Sequence, residues 1–443
     1  MTVRRVRWVV GSLTAIGLAL RLAWVHWATR KPQGLFLDPT RYLGYAQAIR
    51  NGQGMLEGLT GQPTAYYPPG YPWFLGIVAW VTSPITDHIW MSAAVVQAFL
   101  GAASIALAAF VAHRLAGAWP AVVAAALYAF YPNLIFHTGV LLGETLYNFL
   151  FLAFLAVLLA KPWTVAFTWQ RALASGVLLG LAVMVRPISL AVIPVVAVCW
   201  LYARKDYGIA ARWTGALLLG VVVCILPWTI RNQVRMDAFV PISTNTGDNL
   251  CMGHAKGATG AFGALKACNV PYDFLDGIPA EVKGDKAKQR IAFRAMRRDP
   301  GREVWLTKQR LYFMWVRDGD HDALFASESY RLDRWMAIPT EARLIWIADR
   351  YYWLVTAAGI VGLVALAWRR EPDGLMLVGS TLVTAAVPLL FFGDARFKVP
   401  VIPLLIICAA TLARARRSSA APQDLQEVGG GADGAGERIG AAG

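Results

Sequence analysis

The chain has 443 residues, of which 57% are hydrophobic and 16% charged, with a mean hydropathy of +0.47 and a net charge of +15. A soluble domain carries about 25% charged residues, so this chain cannot clothe the two or three soluble domains its length would require, and it reads as an all-α polytopic membrane protein. The cationic excess is what membrane proteins gather on cytoplasmic loops, so nucleic acid is not indicated as a partner, and five cysteines without zinc-type spacing exclude a disulfide scaffold or a zinc module.

Met1–Arg7 is basic and leads directly into an apolar run without a small-residue cleavage site, the pattern of an uncleaved first span over 8–28. A spanning helix needs about 20 mainly apolar residues. Nine further runs qualify, at 90–112, 119–136, 143–160, 172–186, 187–203, 213–230, 346–368, 374–392 and 397–412. The fifth and sixth of the ten spans adjoin at Arg186–Pro187, where proline breaks the helix. Tyr71–Thr82 is apolar but short, with Pro72 near its start, and reads as an interfacial helix.

Placing the N-terminus in the cytoplasm puts 15 Lys and Arg on the inner segments, while the short outer connections at 137–142 and 393–396 hold only Arg396. Counting Tyr71–Thr82 as a span would turn His113–Arg114 and Lys161–Arg171 outward, so ten spans with both termini inside fit better. The chain then divides into an N-terminal transmembrane half over 1–230 containing a first outer loop at 29–89, an outer-loop domain at 231–345, C-terminal helices at 346–412 and a tail at 413–443. The tail is Gly-, Ala- and charge-rich and is expected to be disordered. The second loop has helical periodicity around Ala287–Arg298 and Glu303–Val316, is long enough for a small domain over the membrane, and its 18 Lys and Arg are largely offset by acids. The inner segments are too short to bind a nucleotide, which argues against a primary pump.

Five cations lie inside or at the edge of spans, all toward the outer side: Arg21, Arg186, Arg350, Arg396 and Lys398. Each alone is compatible with snorkelling to the interface. Together they suit an anionic headgroup, and Arg suits phosphate through its planar fork. Two acids are placed similarly. Asp38 follows the first span and is either a helix cap or a general base; Glu144 opens the fourth span and is either an ion-pair partner or a second catalytic carboxylate.

These residues sit in an ordered series of motifs. Asp38-x-x-x-Tyr42-x-x-x-Ala46, Gly52 and Ala65-Tyr66-Tyr67-Pro68-Pro69-Gly70-Tyr71-Pro72 come first, then Gly143-Glu144-Thr145 and Val185-Arg186-Pro187. Pro227-Trp228-Thr229-Ile230-Arg231-Asn232, Pro241-Ile242-Ser243-Thr244 and Gly247-Asp248-Asn249-Leu250 follow, and Arg396-Phe397-x-Val399-Pro400-x-x-Pro403 closes the series. Their order over most of 8–412 resembles the glycosyltransferase family 39-like membrane proteins, relatives of protein O-mannosyltransferases and bacterial aminoarabinose transferases with the GT-C fold.

The resemblance implies an inverting transferase that takes a sugar from a polyprenyl phosphate on the outer face of the bacterial cytoplasmic membrane and gives it to a glycan, lipid or protein acceptor. It implies Asp38 as the base, Arg186, Arg231, Arg396 and Lys398 as candidates for the donor phosphate, and Tyr42, Tyr66, Tyr67 and Asn249 around the sugar. The tyrosines are equally compatible with an interface belt. Protein mannosyltransferase relatives often follow the first acid with a second; Pro39 stands there, which argues against a paired-carboxylate role.

Asp318-Gly319-Asp320-His321-Asp322 looks like a metal-binding acid motif but lacks the strand–Gly-rich–helix unit of a nucleotide-sugar enzyme, and it reads as a solvated loop. The sequence requires no cofactor, and a divalent cation on these carboxylates is the alternative. Cys251 and Cys268 share the second outer loop, where a disulfide is a reasonable hypothesis. A flippase for a lipid-linked glycan is the rival reading. It would need broken helices and charges near mid-membrane, open to both sides.

Overall fold

The structure is a computed structural model that describes residues 2–33, 38–58, 60–163, 167–270, 278–318 and 335–414, and the side chains of these except 278 and 279. The expected tail disorder and the residues Asp320, His321 and Asp322 lie outside the described residues. The described chain is helical, with no strand among the described residues.

Among the described residues, six helical segments are long and apolar enough to cross a membrane: α1 (Val3–Ala28), α4 (Ile89–Ala116), Pro187–Arg204, α10 (Tyr207–Met236), α14 (Ile338–Arg369) and Pro372–Leu390. The segment Pro187–Arg204 is a 3-10 turn followed by α9 (Val192–Arg204), and Pro372–Leu390 begins with α15 (Pro372–Ala386). A seventh is bent by 61° between α5 (Ala118–Ala129) and α6 (Pro132–Phe136). Three shorter apolar helices complete the set: α7 (Glu144–Leu159), α8 (Trp169–Val185) and Ile402–Ala413, which contains α16 (Ile402–Ala410). Each coincides with one of the ten sequence spans, because an apolar run long enough to span is a local property of the chain.

The bend has a local cause and a distant support. Pro132 ends α5, leaving carbonyls at its C-terminus without helical partners. Arg21 of α1 donates to the Tyr128 and Ala129 carbonyls at 3.3 and 3.4 Å, and to the Gly17 carbonyl at 3.0 Å. A cation at a helix C-terminus is favourable. Arg21 is fully buried there, with its guanidinium on helix carbonyls. Helices α8 and α10 cross closely at glycine: a Cβ on Gly220 would stand 2.6 Å from the Val177 nitrogen.

The first long loop holds α2 (Asp38–Arg50) and α3 (Gly70–Thr82). Helix α3 buries Tyr71, Leu75, Val78 and Ala79 and exposes Trp73, Ile77, Trp80 and Val81, the two-faced pattern of an interfacial helix. The second loop holds α11 (Thr246–His254), α12 (Ile278–Arg298) and α13 (Pro300–Trp315), with Cys251 and Cys268 joined in a disulfide.

The two loops are locked together by carboxylates. Glu281 of α12 accepts from the Thr64 hydroxyl at 2.7 Å, the Ala65 amide at 3.1 Å and the Thr244 hydroxyl at 2.5 Å. Asp285, one turn on, accepts from the Gly247 amide at 2.5 Å and from Gln289 at 2.7 Å. Burial pushes the Asp285 carboxyl up to about 6, outweighing these bonds. A carboxyl whose folded value exceeds its unfolded value of about 3.9 contributes stability that is complete below that value and is lost as pH rises through about 6. The thermal midpoint is therefore expected to fall through a step near pH 6, and Asp285→Asn is expected to remove the step; scanning calorimetry across that range checks it.

Candidate active site

Asp38 is the first residue of α2, and its side chain caps nothing in its own helix. Instead its Oδ1 accepts from the Tyr67 hydroxyl at 2.5 Å, and its Oδ2 accepts from Arg396 Nη1 at 2.7 Å. The carboxylate is 31% exposed, and with about four lone-pair positions it keeps capacity for another donor.

Arg396 lies in the 3-10 turn Ala395–Lys398, whose start is capped by Asp394 accepting from the Arg396 amide at 2.9 Å. While Nη1 meets Asp38, Nε donates to Glu144 Oε1, and Arg186 Nη2 donates to the same oxygen. Arg186 is the first residue past α8, held extended by the turn into Pro187. Glu144 is the first residue of α7, where a negative charge meets the positive end of the helix. The result is a chain of alternating charge, Asp38–Arg396–Glu144–Arg186, drawn from four separate elements.

Glu144, expected as a second catalytic carboxylate or an ion-pair partner, is fully buried and ion-paired with both arginines. It fixes the two arginines in place.

A wall of tyrosines flanks the carboxylate. Tyr42 packs against Tyr67 and Tyr71 with ring centroids 4.9 Å apart in each pair, and Tyr66 packs against Tyr67 at the same separation. Burial, followed by the nearby Asp38 charge, raises the Tyr42 and Tyr67 hydroxyls well above the ordinary phenol value, so they stay neutral donors. The Tyr66 hydroxyl donates to Asp248 at 3.1 Å, and Asp248 is ion-paired with Lys288 at 2.5 Å.

The remaining predicted residues lie elsewhere. Lys398 is fully buried, 3.2 Å from Asp318, and donates to the Arg317 carbonyl. Arg231 donates to the Thr64 and Met55 carbonyls at 3.0 and 3.1 Å and lies over the Trp228 ring. Both, expected as donor-phosphate candidates, lie apart from the Asp38 cluster: Lys398 is in a buried ion pair and Arg231 is on carbonyls of the first loop. Arg350 is exposed over Trp346. Asn249 is half-buried on α11, and its side chain has no hydrogen-bond partner among the described residues. Of the five membrane-edge cations, two enter the cluster.

Asp318 is also corrected, from a solvated loop residue to a buried one that accepts from Tyr131 at 2.7 Å and Asn133 at 3.1 Å. Sequence reasoning missed Gln97, which accepts from the Tyr71 hydroxyl at 2.9 Å and donates to the Thr138 and Val140 carbonyls at 3.1 and 2.9 Å. A Gln in an otherwise apolar span was the available signal.

No protein-family model matches the chain, and no curated protein matches it. Among solved structures, it is similar to the Archaeoglobus fulgidus oligosaccharyltransferase in the apo form, at 13% identity and a TM-score of 0.56, covering 92% of this chain and 50% of that one. The same enzyme in complex with Zn and sulfate matches at 15% identity and a TM-score of 0.55, covering 91% and 48%. The chain has a GT-C fold. It spans about half the length of the oligosaccharyltransferase structures it matches. ArnT from Cupriavidus metallidurans in the apo state also aligns, at 15% identity and a TM-score of 0.43, covering 90% of this chain and 77% of that one.

The divalent cation that the sequence allows falls on the Asp318–Asp322 motif, most of which lies outside the described residues. Such an ion needs converging oxygen acceptors. Here Asp38 and Glu144 are instead matched by Tyr67 and two guanidiniums, and among the described residues no three His, Cys, Asp or Glu side chains gather.

Proposed function

We propose that the protein is an inverting glycosyltransferase that moves a sugar from a polyprenyl-phosphate carrier to an envelope acceptor on the outer face of the membrane. The observation that carries this reading is a part-exposed carboxylate whose two oxygens are held by Tyr67 and Arg396, with Arg186 beyond Glu144 on the same charge chain. In the reaction, an acceptor hydroxyl gives its proton to Asp38 as its oxygen bonds to the anomeric carbon, and the bond from that carbon to the phosphate oxygen breaks on the opposite face. The polyprenyl phosphate leaves with an added negative charge, and Arg396 and Arg186 are the groups that would meet it. The tyrosines wall the sugar side. The disulfide in the second loop agrees with an oxidising, outer location for that face.

A flippase needs the cations but no base. Purified protein supplied with a radiolabelled polyprenyl phosphate sugar and an envelope extract separates the two readings. Transfer of label with release of polyprenyl phosphate supports the enzyme. Movement of intact donor between leaflets without transfer would establish the rival.

A further inference from the structure

The exposed face of α12 is almost wholly cationic. Lys283, Lys286, Arg290, Arg294, Arg297 and Arg298 recur on it at helical spacing, with Phe293, 47% exposed, among them. The acids of this helix, Glu281 and Asp285, turn inward to the first loop and to α11. Among the described residues none of the six cations has an acidic partner. Topology does not account for them, because they sit in the second long loop rather than on an inner segment.

Helix α13 follows after Asp299 alone and exposes a different face. Val304, Trp305, Lys308, Leu311 and Tyr312 are exposed along one side, while Leu306, Arg310 and Met314 face inward. The inward side is pinned to the end of a spanning segment. Arg310 donates to the Leu389 carbonyl at 3.0 Å, and His254, which also meets Arg310, lies 2.8 Å from the Leu390 carbonyl. Leu390 ends the span-length segment Pro372–Leu390, so α13 is pinned beside the end of that segment with Trp305 and Tyr312 exposed. An apolar face carrying Trp and Tyr beside a dense basic face is the composition of an interfacial helix on anionic lipid.

We infer that α12 and α13 form a docking surface for anionic phospholipid: α13 seats its apolar face among headgroups and upper acyl chains, and the α12 cations engage headgroup phosphates. The second loop is then held against the bilayer beside the site. Because Glu281 and Lys288 of α12 reach Thr64, Ala65 and the Tyr66–Asp248 pair, lipid contact also bears on the tyrosine wall.

The full chain, with Cys199, Cys224 and Cys408 replaced by alanine and Trp305→Cys carrying a fluorophore, is placed in vesicles of phosphatidylcholine alone or with phosphatidylglycerol. Quenching by a shallow spin-labelled lipid is expected to be about threefold stronger with phosphatidylglycerol, and to lose that gain in high salt or when the six α12 cations are replaced by Gln. Hydrogen exchange of the unmodified chain in the same vesicles is expected to be slower over α12–α13 with phosphatidylglycerol. Equal quenching and equal exchange in both vesicles would overturn the inference. So would binding of soluble polyphosphate that depends on the six cations while the lipid composition makes no difference, since that assigns the face to a soluble polyanion.

Discussion

Asp38→Asn is expected to lower kcat for sugar transfer by about 10²–10⁴-fold, the range lost when a positioned general base is removed. Asparagine keeps the size of the side chain and an oxygen for Tyr67 or Arg396 to meet, so the loss falls on proton transfer. The ion pair between Arg396 and Asp38 is part-exposed, at 19% and 31%, and such pairs contribute about 0–1 kcal/mol. The thermal midpoint should therefore move little. Donor KM should stay level or fall, because removing one anion leaves more positive potential on Arg396 for the donor phosphate. Steady-state kinetics beside thermal unfolding separates the two roles: a folded variant that transfers sugar at the wild-type rate would remove Asp38 as the base.

Glu144→Gln carries the largest expected effect on stability. Glu144 is fully buried and is the acid to which both Arg186 and Arg396 donate. Removing its charge leaves two guanidiniums at the membrane edge with Asp38 as the acid paired beside them among the described residues, and breaking a buried ion pair in this way costs about 3–5 kcal/mol. The expected result is a clear fall in thermal midpoint in detergent, with transfer lost because Arg396 is no longer held against Asp38. Sulfate, which offers the guanidiniums a counter-charge, is expected to restore part of the midpoint in this variant and to do little for the wild type. Unfolding within about 1 kcal/mol of the wild type, insensitive to sulfate, would show that Glu144 does not hold the cluster.

The two variants distinguish a residue that acts on substrate from one that acts through its neighbours. For Asp38 the signature is a fall in kcat with stability kept. For Glu144 it is a loss of stability that carries activity with it, eased by an anion.

Much of the architecture was legible along the chain. Ten apolar runs became ten helical segments because membrane insertion is decided by contiguous residues within one element. Asp38 and Glu144 stood out for the same reason, as costly charges beside apolar runs. The pairing of Cys251 with Cys268 was also within reach, since both sit in one loop only 17 positions apart.

What the tertiary structure alone decided is which charge meets which. Arg396 finds Asp38 across 358 positions and Glu144 across 252, and no local pattern distinguishes it from Lys398, two residues on, which turns to Asp318 instead. Arg21, Arg231 and Arg396 look alike in sequence, as cations at the margin of a span. One caps a broken helix, one braces a loop and one reaches the Asp38 carboxylate. The second loop makes the same point. In sequence its acids and bases nearly cancel, but folding turns Glu281 and Asp285 inward and leaves six cations on one side of α12. Hydrophobic runs specify where helices lie because burial in lipid acts on each segment separately. The pairing of charges depends on distance and burial in the folded chain, and these exist only once the helices have packed.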